Sequence, residues 1–527
     1  MLSKTEKWML AGIFVLLGVA LFFNLGLMPL FGDEAIRGTV AFEMIKSDNY
    51  VVPTIWGDFY YRKPPLYNWL IAACFEATGS YSEFVLRLPS VIPLLVFIPV
   101  IYWVSRKQIG QRSAWLAGFA FVLSGRIITR DSMLGHIDIF FSLTTFLGFY
   151  AIYYFWKRDK MYPLFLVSYL LTAMGVLMKG LPSFLFQGFT LFIWFVYNRQ
   201  FKRLFSLAHF SGIALLVVII GGYFGIYSQY NSLEDYFFQL YDQSAQRTVV
   251  DNKWYDSLVN IVTFPLENFG HLFPTSLFLS PLFFRGVRKR IMNNSFMAFT
   301  LLTLAINIIP YWLSPGYYPR YLFMLYPLIF ILGADAFVNH FTVWPKLKNG
   351  ILWFFFACGV IVALSAFIVP QLAQFEAFES LSVQGLLIGI MTLALLIWWI
   401  NAPNLRLWLG LSFIVCFRLM FDAAVLPYRL AESDDRRIQH KKDCDEILQI
   451  AEGRTLRILG NTPLYEDFAY YLGTGKDEIM SRHDEAQPGV LYVAHPRTLT
   501  KIKYRELHRF DLRWNNYEIL IIELDED

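Results

Sequence analysis

Charged side chains are scarce in this 527-residue chain: Asp, Glu, Lys and Arg make up 16% of it, against about 25% in soluble globular domains. That scarcity excludes the three or four water-soluble domains that the length alone would suggest. It also excludes intrinsic disorder, which needs abundant charge and few aromatics. Cysteine is rare as well. Cys74, Cys358, Cys416 and Cys444 stand far apart, with no CxxC and no histidine spacing that suggests zinc, and they read as small buried hydrophobes. The net charge of +4 is too small and too scattered to argue for nucleic acid. What is abundant is apolar surface: 56% of residues are hydrophobic, mean hydropathy is +0.45, and there are 51 Phe, 30 Tyr and 15 Trp. So much of it needs lipid as its solvent.

A helix needs about 20 mostly apolar residues to cross the hydrocarbon core. Thirteen stretches qualify: 8–30, 84–104, 114–130, 137–156, 162–178, 183–197, 208–227, 269–284, 296–313, 320–339, 350–370, 382–400 and 405–426. The first is too long for a cleaved signal, and no small-residue cleavage pattern follows Leu30. With the N-terminus in the cytoplasm, every second loop collects basic residues, as cytoplasmic loops do. They are Lys4 and Lys7; Arg106, Lys107 and Arg112; Lys157, Arg158 and Lys160; Arg199, Lys202 and Arg203; Arg285, Arg288, Lys289 and Arg290; Lys346 and Lys348; and Arg406. Only Glu6 and Asp159 oppose them. An odd number of crossings then leaves the C-terminus outside.

The outer connections differ in kind. Segments 31–83 and 228–268 are long, carry acids, and are studded with aromatics, which suits short helices lying at the interface. After Leu426 the composition changes. Residues 427–527 hold charge clusters, three β-like runs (Thr455–Leu459, Val490–Ala494, Glu518–Leu524) and a helix-like stretch, Tyr465–Leu472. The expectation is a transmembrane domain over 1–426 and a small soluble α/β domain over 427–527.

Charges at the membrane face outside the basic belt are the informative ones. Asp33 and Glu34 follow the first span directly, after Gly32 breaks the helix. A carboxylate at head-group depth can serve as a general base with access to water and lipid; the same Asp can also simply cap a helix. Arg62 and Lys63 precede Pro64-Pro65, a rigid presentation that suits a lipid phosphate, although a lone Lys there would read as ordinary snorkelling. Asp138 sits at the mouth of the fourth span, after His136, which reads as a polar loop residue rather than a metal ligand. Lys179 stands before a Gly180–Pro182 break, and the turn Ser314–Tyr321 delivers Arg320. Arg247 adds a cation from the second long loop. None of these is specific singly. Together they place acids and cations from five loops on one side of the membrane, which favours an active site over scattered anchors.

Taken in order, these segments resemble the GT-C membrane glycosyltransferases of the dolichyl-phosphate-mannose protein mannosyltransferase-like superfamily, and within it the bacterial lipid A aminoarabinose transferase group. The matching pieces are Gly32-Asp33-Glu34-Ala35 with Arg37, Lys63-Pro64-Pro65-Leu66-Tyr67 with Trp69, Asp138 opening a span, Lys179-Gly180, and the Ser314–Tyr321 turn before Pro327. The similarity covers roughly residues 5–340. It implies a polytopic helical fold with periplasmic juxtamembrane helices in a bacterial inner membrane. It also implies a polyprenyl (undecaprenyl) phosphate sugar donor, attack on the anomeric carbon with inversion, and a lipid or glycan acceptor. By resemblance Asp33, with Glu34 beside it, takes the catalytic acid's place and Asp138 the second acidic position. Lys63 engages the donor phosphate, joined by Arg320, Arg247 and Lys179, while Arg62, Tyr61 and Tyr67 line the substrate. One position departs: Arg62 stands where the aminoarabinose transferases carry an acid that contributes to a metal site, and 228–268 offers no histidine. A metal site of that kind is not expected here, and acceptors other than lipid A stay open.

A transporter or lipid flippase would share the many spans. Transporters bind near the midplane on broken helices in paired halves; no half-repeat is evident here, and the charges gather at one face. Asp335, within the tenth stretch, is the residue that best suits the transport reading.

Overall fold

The computed structural model describes residues 2–245, 254–284, 286–314, 316–341, 344–432, 434–500, 503–512 and 517–524. Among these residues, nine helices are long and apolar enough to cross a membrane: Lys4–Phe22, Glu83–Ile109, Ile137–Trp156, Met161–Lys179, Leu207–Tyr227, Ser295–Leu313, Pro345–Gln371, Glu379–Asn401 and Pro403–Glu432. A tenth apolar helix, Pro182–Tyr197, is shorter at 16 residues. Each falls on an expected stretch.

The other three stretches are not single helices. Gln111–Val122 stops and restarts as Gly125–Thr129. Thr275–Phe283 is a 3-10 segment that follows Pro274 and contains Pro281. Tyr326–Asp335 runs into a π turn, Ala336–His340. In Thr275–Phe283 proline removes an amide donor and crowds the preceding turn, so the ladder breaks there. Interrupted backbone at membrane depth persists only when wrapped in protein. Accordingly Leu116, Phe119, Phe278, Phe330 and Leu332 are all buried, whereas the unbroken Leu207–Tyr227 and Glu379–Asn401 expose Val217, Val218, Leu387 and Ile397 on their outer faces.

Buried ionic contacts fix the bundle. At the start of the first span Ser3 and Glu6 cap one another, Glu6 N–H donating to Ser3 Oγ at 3.1 Å and Ser3 N–H to Glu6 Oε2 at 2.9 Å. Glu6 also accepts from Arg112 Nε at 2.9 Å and Trp408 Nε1 at 3.3 Å, so one carboxylate gathers three helices. In the last long helix Arg418 pairs with Asp422 at 2.6 Å and donates to Ser132 Oγ at 2.6 Å, pinning the loop after the broken helix.

The long connections hold short helices, Asp33–Ser47 and Leu66–Thr78 around a small hairpin (Thr54–Ile55 with Asp58–Phe59) in the first, and Leu233–Ala245 and Trp254–His271 in the second. The C-terminal segment forms a five-stranded sheet. Leu456–Leu459 is flanked in parallel by Arg482–His483 and Leu491–Ala494; Tyr517–Leu524 then pairs antiparallel with Leu491–Ala494 and with Tyr504–Leu512. The change of composition at Leu426 does not interrupt the helix, which continues to Glu432. Helix Glu466–Lys476 packs on Asp33–Ser47. Gly38 permits that approach, because a Cβ there would lie 2.6 Å from Tyr470 Cε2 and 2.4 Å from Leu86 Cδ1. Tyr471 Oη accepts from Leu30 N–H at 2.8 Å, and Tyr470 donates to the carbonyl of Tyr81. Of the cysteines, Cys416 and Cys444 are buried and Cys74 and Cys358 half-buried, all as free thiols.

Candidate active site

A cavity of about 400 Å³ opens at one end of the bundle, where the long connections and the C-terminal segment meet. Each wall comes from a different part of the chain, and local backbone explains each placement. Gly32 precedes the first short helix at φ 57°, ψ −119°, a region open essentially to glycine alone. The chain therefore turns sharply and Asp33 becomes the first helical residue. Arg37, one turn later, shares its face and also lines the cavity. Lys179 ends its span, and Gly180 reverses the chain at φ 78°, ψ −138°. Asp138 lies in the first turn of Ile137–Trp156. Arg320 comes from the 3-10 turn Pro319–Leu322.

These groups form one charge network. Arg320 donates to Asp33 Oδ2 at 2.6 Å, and its Nε lies 3.6 Å from Asp138 Oδ2. Asp138 is buried and also accepts from Lys179 Nζ. The ammonium of Lys179 sits 4.5 Å from the centre of the Tyr321 ring and 5.0 Å from that of Phe141. Lys63 and Arg62 also line the cavity. Arg62 reaches Glu466 of the C-terminal segment at 3.8 Å, which brings that segment to the rim. Asp33 keeps a side chain 55% exposed while Asp138 keeps 5%, so the two carboxylates differ in access to an incoming proton.

Sequence reasoning placed Asp33, Asp138, Lys63, Lys179, Arg320 and Arg62 at a site, and all six line this cavity. Glu34 does not. Successive helical residues point about 100° apart, so Glu34 faces the protein interior. There it is fully buried and grips Arg87 through two bonds of 2.9 and 3.1 Å, while accepting the N–H of Phe31 and of Gly135, each at 2.7 Å. Burial opposes its ionisation, but Arg87 and the Gly135 amide outweigh that and hold its carboxyl below the ordinary range. Glu34 thus ties the loop residue Gly135, ahead of the helix that carries Asp138, to the first short helix, and its place outside the cavity does not fit the catalytic role expected of it. Tyr67 is likewise buried away from the cavity, its hydroxyl 2.8 Å from Ser90 Oγ and 3.2 Å from the Gly135 carbonyl. Tyr61 packs on Tyr236 and meets Asn231 at 3.3 Å, outside the lining. Arg247 lies outside the described residues.

Arg37, Tyr60 and His136 are among the lining residues that the sequence does not assign to the site. Arg37 was legible from its i, i+4 relation to Asp33. Tyr60 was not; its hydroxyl is held by Arg37, and burial raises its pKa although that cation opposes the rise. His136, a polar loop residue by its sequence, lines the cavity with Nδ1 buried and without a hydrogen-bond partner among the described residues. Burial and then the charge of Arg320 push its pKa down, so it presents a neutral imidazole.

The lining does not suit a divalent cation. Two carboxylates, Asp33 and Asp138, face Arg37, Arg62, Lys63, Lys179 and Arg320, and both are engaged by those cations. Among the described residues, no three His, Cys, Asp or Glu side chains are grouped to hold a metal. Asp335 stands apart from this site. It accepts from Asn339 at 2.7 Å and meets His340 at 3.3 Å, while Asn339 reaches the Ile109 carbonyl at 3.0 Å. It fastens the helix ends remote from the cavity and offers nothing to a midplane path.

The arrangement has counterparts. The dolichyl-phosphate-mannose-protein mannosyltransferase family model matches residues 62–223. An undecaprenyl phosphate-alpha-4-amino-4-deoxy-L-arabinose arabinosyl transferase of Pseudomonas savastanoi pv. phaseolicola is 23% identical over 58% of this chain and 57% of its own. An uncharacterized protein of Aquifex aeolicus is also 23% identical, over 68% and 69% of the two chains. The crystal structure of ArnT from Cupriavidus metallidurans bound to undecaprenyl phosphate superposes with a TM-score of 0.68 at 16% identity, covering 99% of this chain and 98% of the other. The protein is thus a multi-pass membrane protein with the GT-C glycosyltransferase fold. Within that class it is similar to the aminoarabinose transferase group.

Proposed function

We propose that the protein is a glycosyltransferase that moves a sugar from a polyprenyl phosphate donor to a lipid or glycan acceptor at the periplasmic face of a bacterial inner membrane. The observation that carries this reading is the convergence of Asp33, Asp138, Lys63, Lys179 and Arg320 on one cavity at one end of the membrane helices. The undecaprenyl phosphate bound to the structural neighbour supports a donor of that chemistry. The orientation rests on the basic loops, which lie at the opposite end. Residues 1–426 carry the chemistry, and the soluble segment 427–527 completes the rim through Glu466.

Asp33, the exposed carboxylate, takes the proton from the acceptor hydroxyl as its oxygen bonds to the anomeric carbon. The bond from that carbon to the phosphate oxygen breaks, and its electron pair leaves with the polyprenyl phosphate. Attack opposite the leaving group inverts the configuration. The departing phosphate gains charge as it leaves, so cations aimed at it bind the transition state more tightly than the ground state. Lys63, Lys179 and Arg320 are those cations. Asp138 holds Lys179 and Arg320 in place, and neutral His136 supplies a hydrogen bond to the sugar.

The test is transfer from a panel of polyprenyl phosphate sugars by purified protein, wild type against Asp33→Asn. The variant is expected to fold and bind donor but to lose turnover by about a hundredfold or more. Unchanged turnover removes Asp33 from the mechanism; no transfer by wild type from any donor overturns the reading.

A further inference from the structure

A second charged cavity, of about 440 Å³, lies at the other end of the bundle. Arg106 and Lys107 close the helix Glu83–Ile109, and Lys157 and Arg158 follow Ile137–Trp156, a helix packed beside it. From Asp138 in the catalytic cavity to Lys157 the helical rise is about 28 Å, so the two cavities face opposite leaflets.

All four cations line this hollow, and no carboxylate does. Among the described residues none of the four meets a carboxylate within salt-bridge distance; the adjacent Asp159 pairs with Arg203 instead. Their company is aromatic. The Arg158 guanidinium stacks 3.6 Å from the centre of the Tyr154 ring, Arg106 lies 5.3 Å from that of Tyr102, and Lys157 lies 5.8 Å from that of Tyr153. Trp103, on the same wall, is 51% exposed on the flank of the span.

Cytoplasmic basic residues that only snorkel spread outward into water. Here they ring one concave space, where their mutual repulsion calls for an anion. Basic pockets between membrane helices recognise phosphate head groups in this way. An apolar flank beside the pocket favours an anion that carries its own acyl chains over a soluble one.

We infer that this cavity binds the phosphate head group of an anionic glycerophospholipid in the leaflet opposite the catalytic cavity. The phosphate sits among Arg106, Lys107, Lys157 and Arg158, and an acyl chain passes along Trp103. The inference does not depend on the transfer reaction.

The test places purified full-length protein in phosphatidylcholine nanodiscs with a small fraction of phosphatidylglycerol and measures retained lipid by native mass spectrometry. Phosphatidylglycerol is expected to be retained over phosphatidylcholine. Each basic residue near an anionic surface is worth about fivefold in affinity, so Arg106→Gln with Lys157→Gln should weaken retention roughly thirtyfold. Transfer activity in pure phosphatidylcholine should stay at the wild-type level. Equal retention of the two lipids, or an unaffected double variant, overturns the inference. Displacement by glycerol phosphate at matched concentration also overturns it, by showing a site for soluble anions. Should the double variant not fold, a photoreactive phosphatidylglycerol on wild-type protein must label peptides spanning 102–108 and 150–158; labelling confined elsewhere refutes the site.

Discussion

The guanidinium of Arg320 reaches the carboxylate of Asp33 at 2.6 Å across 287 positions of chain. The same side chain leans toward Asp138 at 3.6 Å, so one cation spans both acids of the cavity. In the proposed reaction, a donor phosphate entering between them would compete for that guanidinium and free Asp33 to take a proton. Arg320→Gln is therefore expected to lower turnover by about 10²–10³-fold, the scale of one lost charge-stabilising donor. Single-turnover transfer kinetics measure this, and a loss confined to KM would assign Arg320 to ground-state binding alone.

Neighbouring acids should behave oppositely. Asp33→Asn is expected to affect turnover with little change in thermal stability. Glu34→Ala strands Arg87 as a buried, unpaired charge, which typically costs about 3–5 kcal/mol. Adding Arg87→Met to Glu34→Ala should restore part of that stability. Thermal unfolding in detergent reads out all three, and equal melting behaviour of the two single variants would dissolve the distinction.

Gly32 and Gly180 hold backbone angles that a side chain resists. Gly32→Ala should cost about 1–3 kcal/mol of local strain and shift Asp33 from its partner. The expected signature is a turnover deficit larger than the change in donor affinity, because misplacement by about 1 Å is enough to cost about a hundredfold. Donor binding measured alongside transfer separates the two.

Glu43, outside the cavity lining, should give the chain's stability a pH dependence. It is buried and accepts the Trp56 amide at 2.7 Å and the Gly57 amide at 3.2 Å, closing the hairpin turn. Burial pushes its pKa up to about 7 despite those bonds, with Asp58 adding to the rise. The folded state then holds a proton that the unfolded chain releases near pH 4.5, so stability falls as pH rises from about 4.5 to about 7. The span corresponds to about 3 kcal/mol. Glu43→Gln should flatten melting temperature against pH across that window; an unchanged slope would exclude Glu43 as its source.

A reporter joined after Leu524 should read as extracytoplasmic, and one placed in the Lys157–Lys160 loop as cytoplasmic. The reverse pattern would put the catalytic cavity on the wrong side for a periplasmic acceptor.

Much was fixed by local rules acting on consecutive residues. Lipid as solvent, the positions of the long spans, the interface helices and the strands around Leu456–Leu459, Leu491–Ala494 and Tyr517–Leu524 follow from apolar run length and alternation, which need no knowledge of neighbours. Asp33, Lys63, Asp138, Lys179 and Arg320 stood out because charge at a membrane face is costly unless used or paired. Tertiary structure alone decided which carboxylate faces the cavity, since Asp33 and Glu34 differ by 100° of helical rotation that only the packing of Gly38 and Arg87 orients. It also decided the breaks after Val122 and Asp335, where no proline stands, brought Glu466 beside Arg62, and turned His136 inward. Those outcomes depend on contacts between segments far apart in the chain, Glu34 and Arg87 being 53 positions apart, and no short window along the sequence contains both partners.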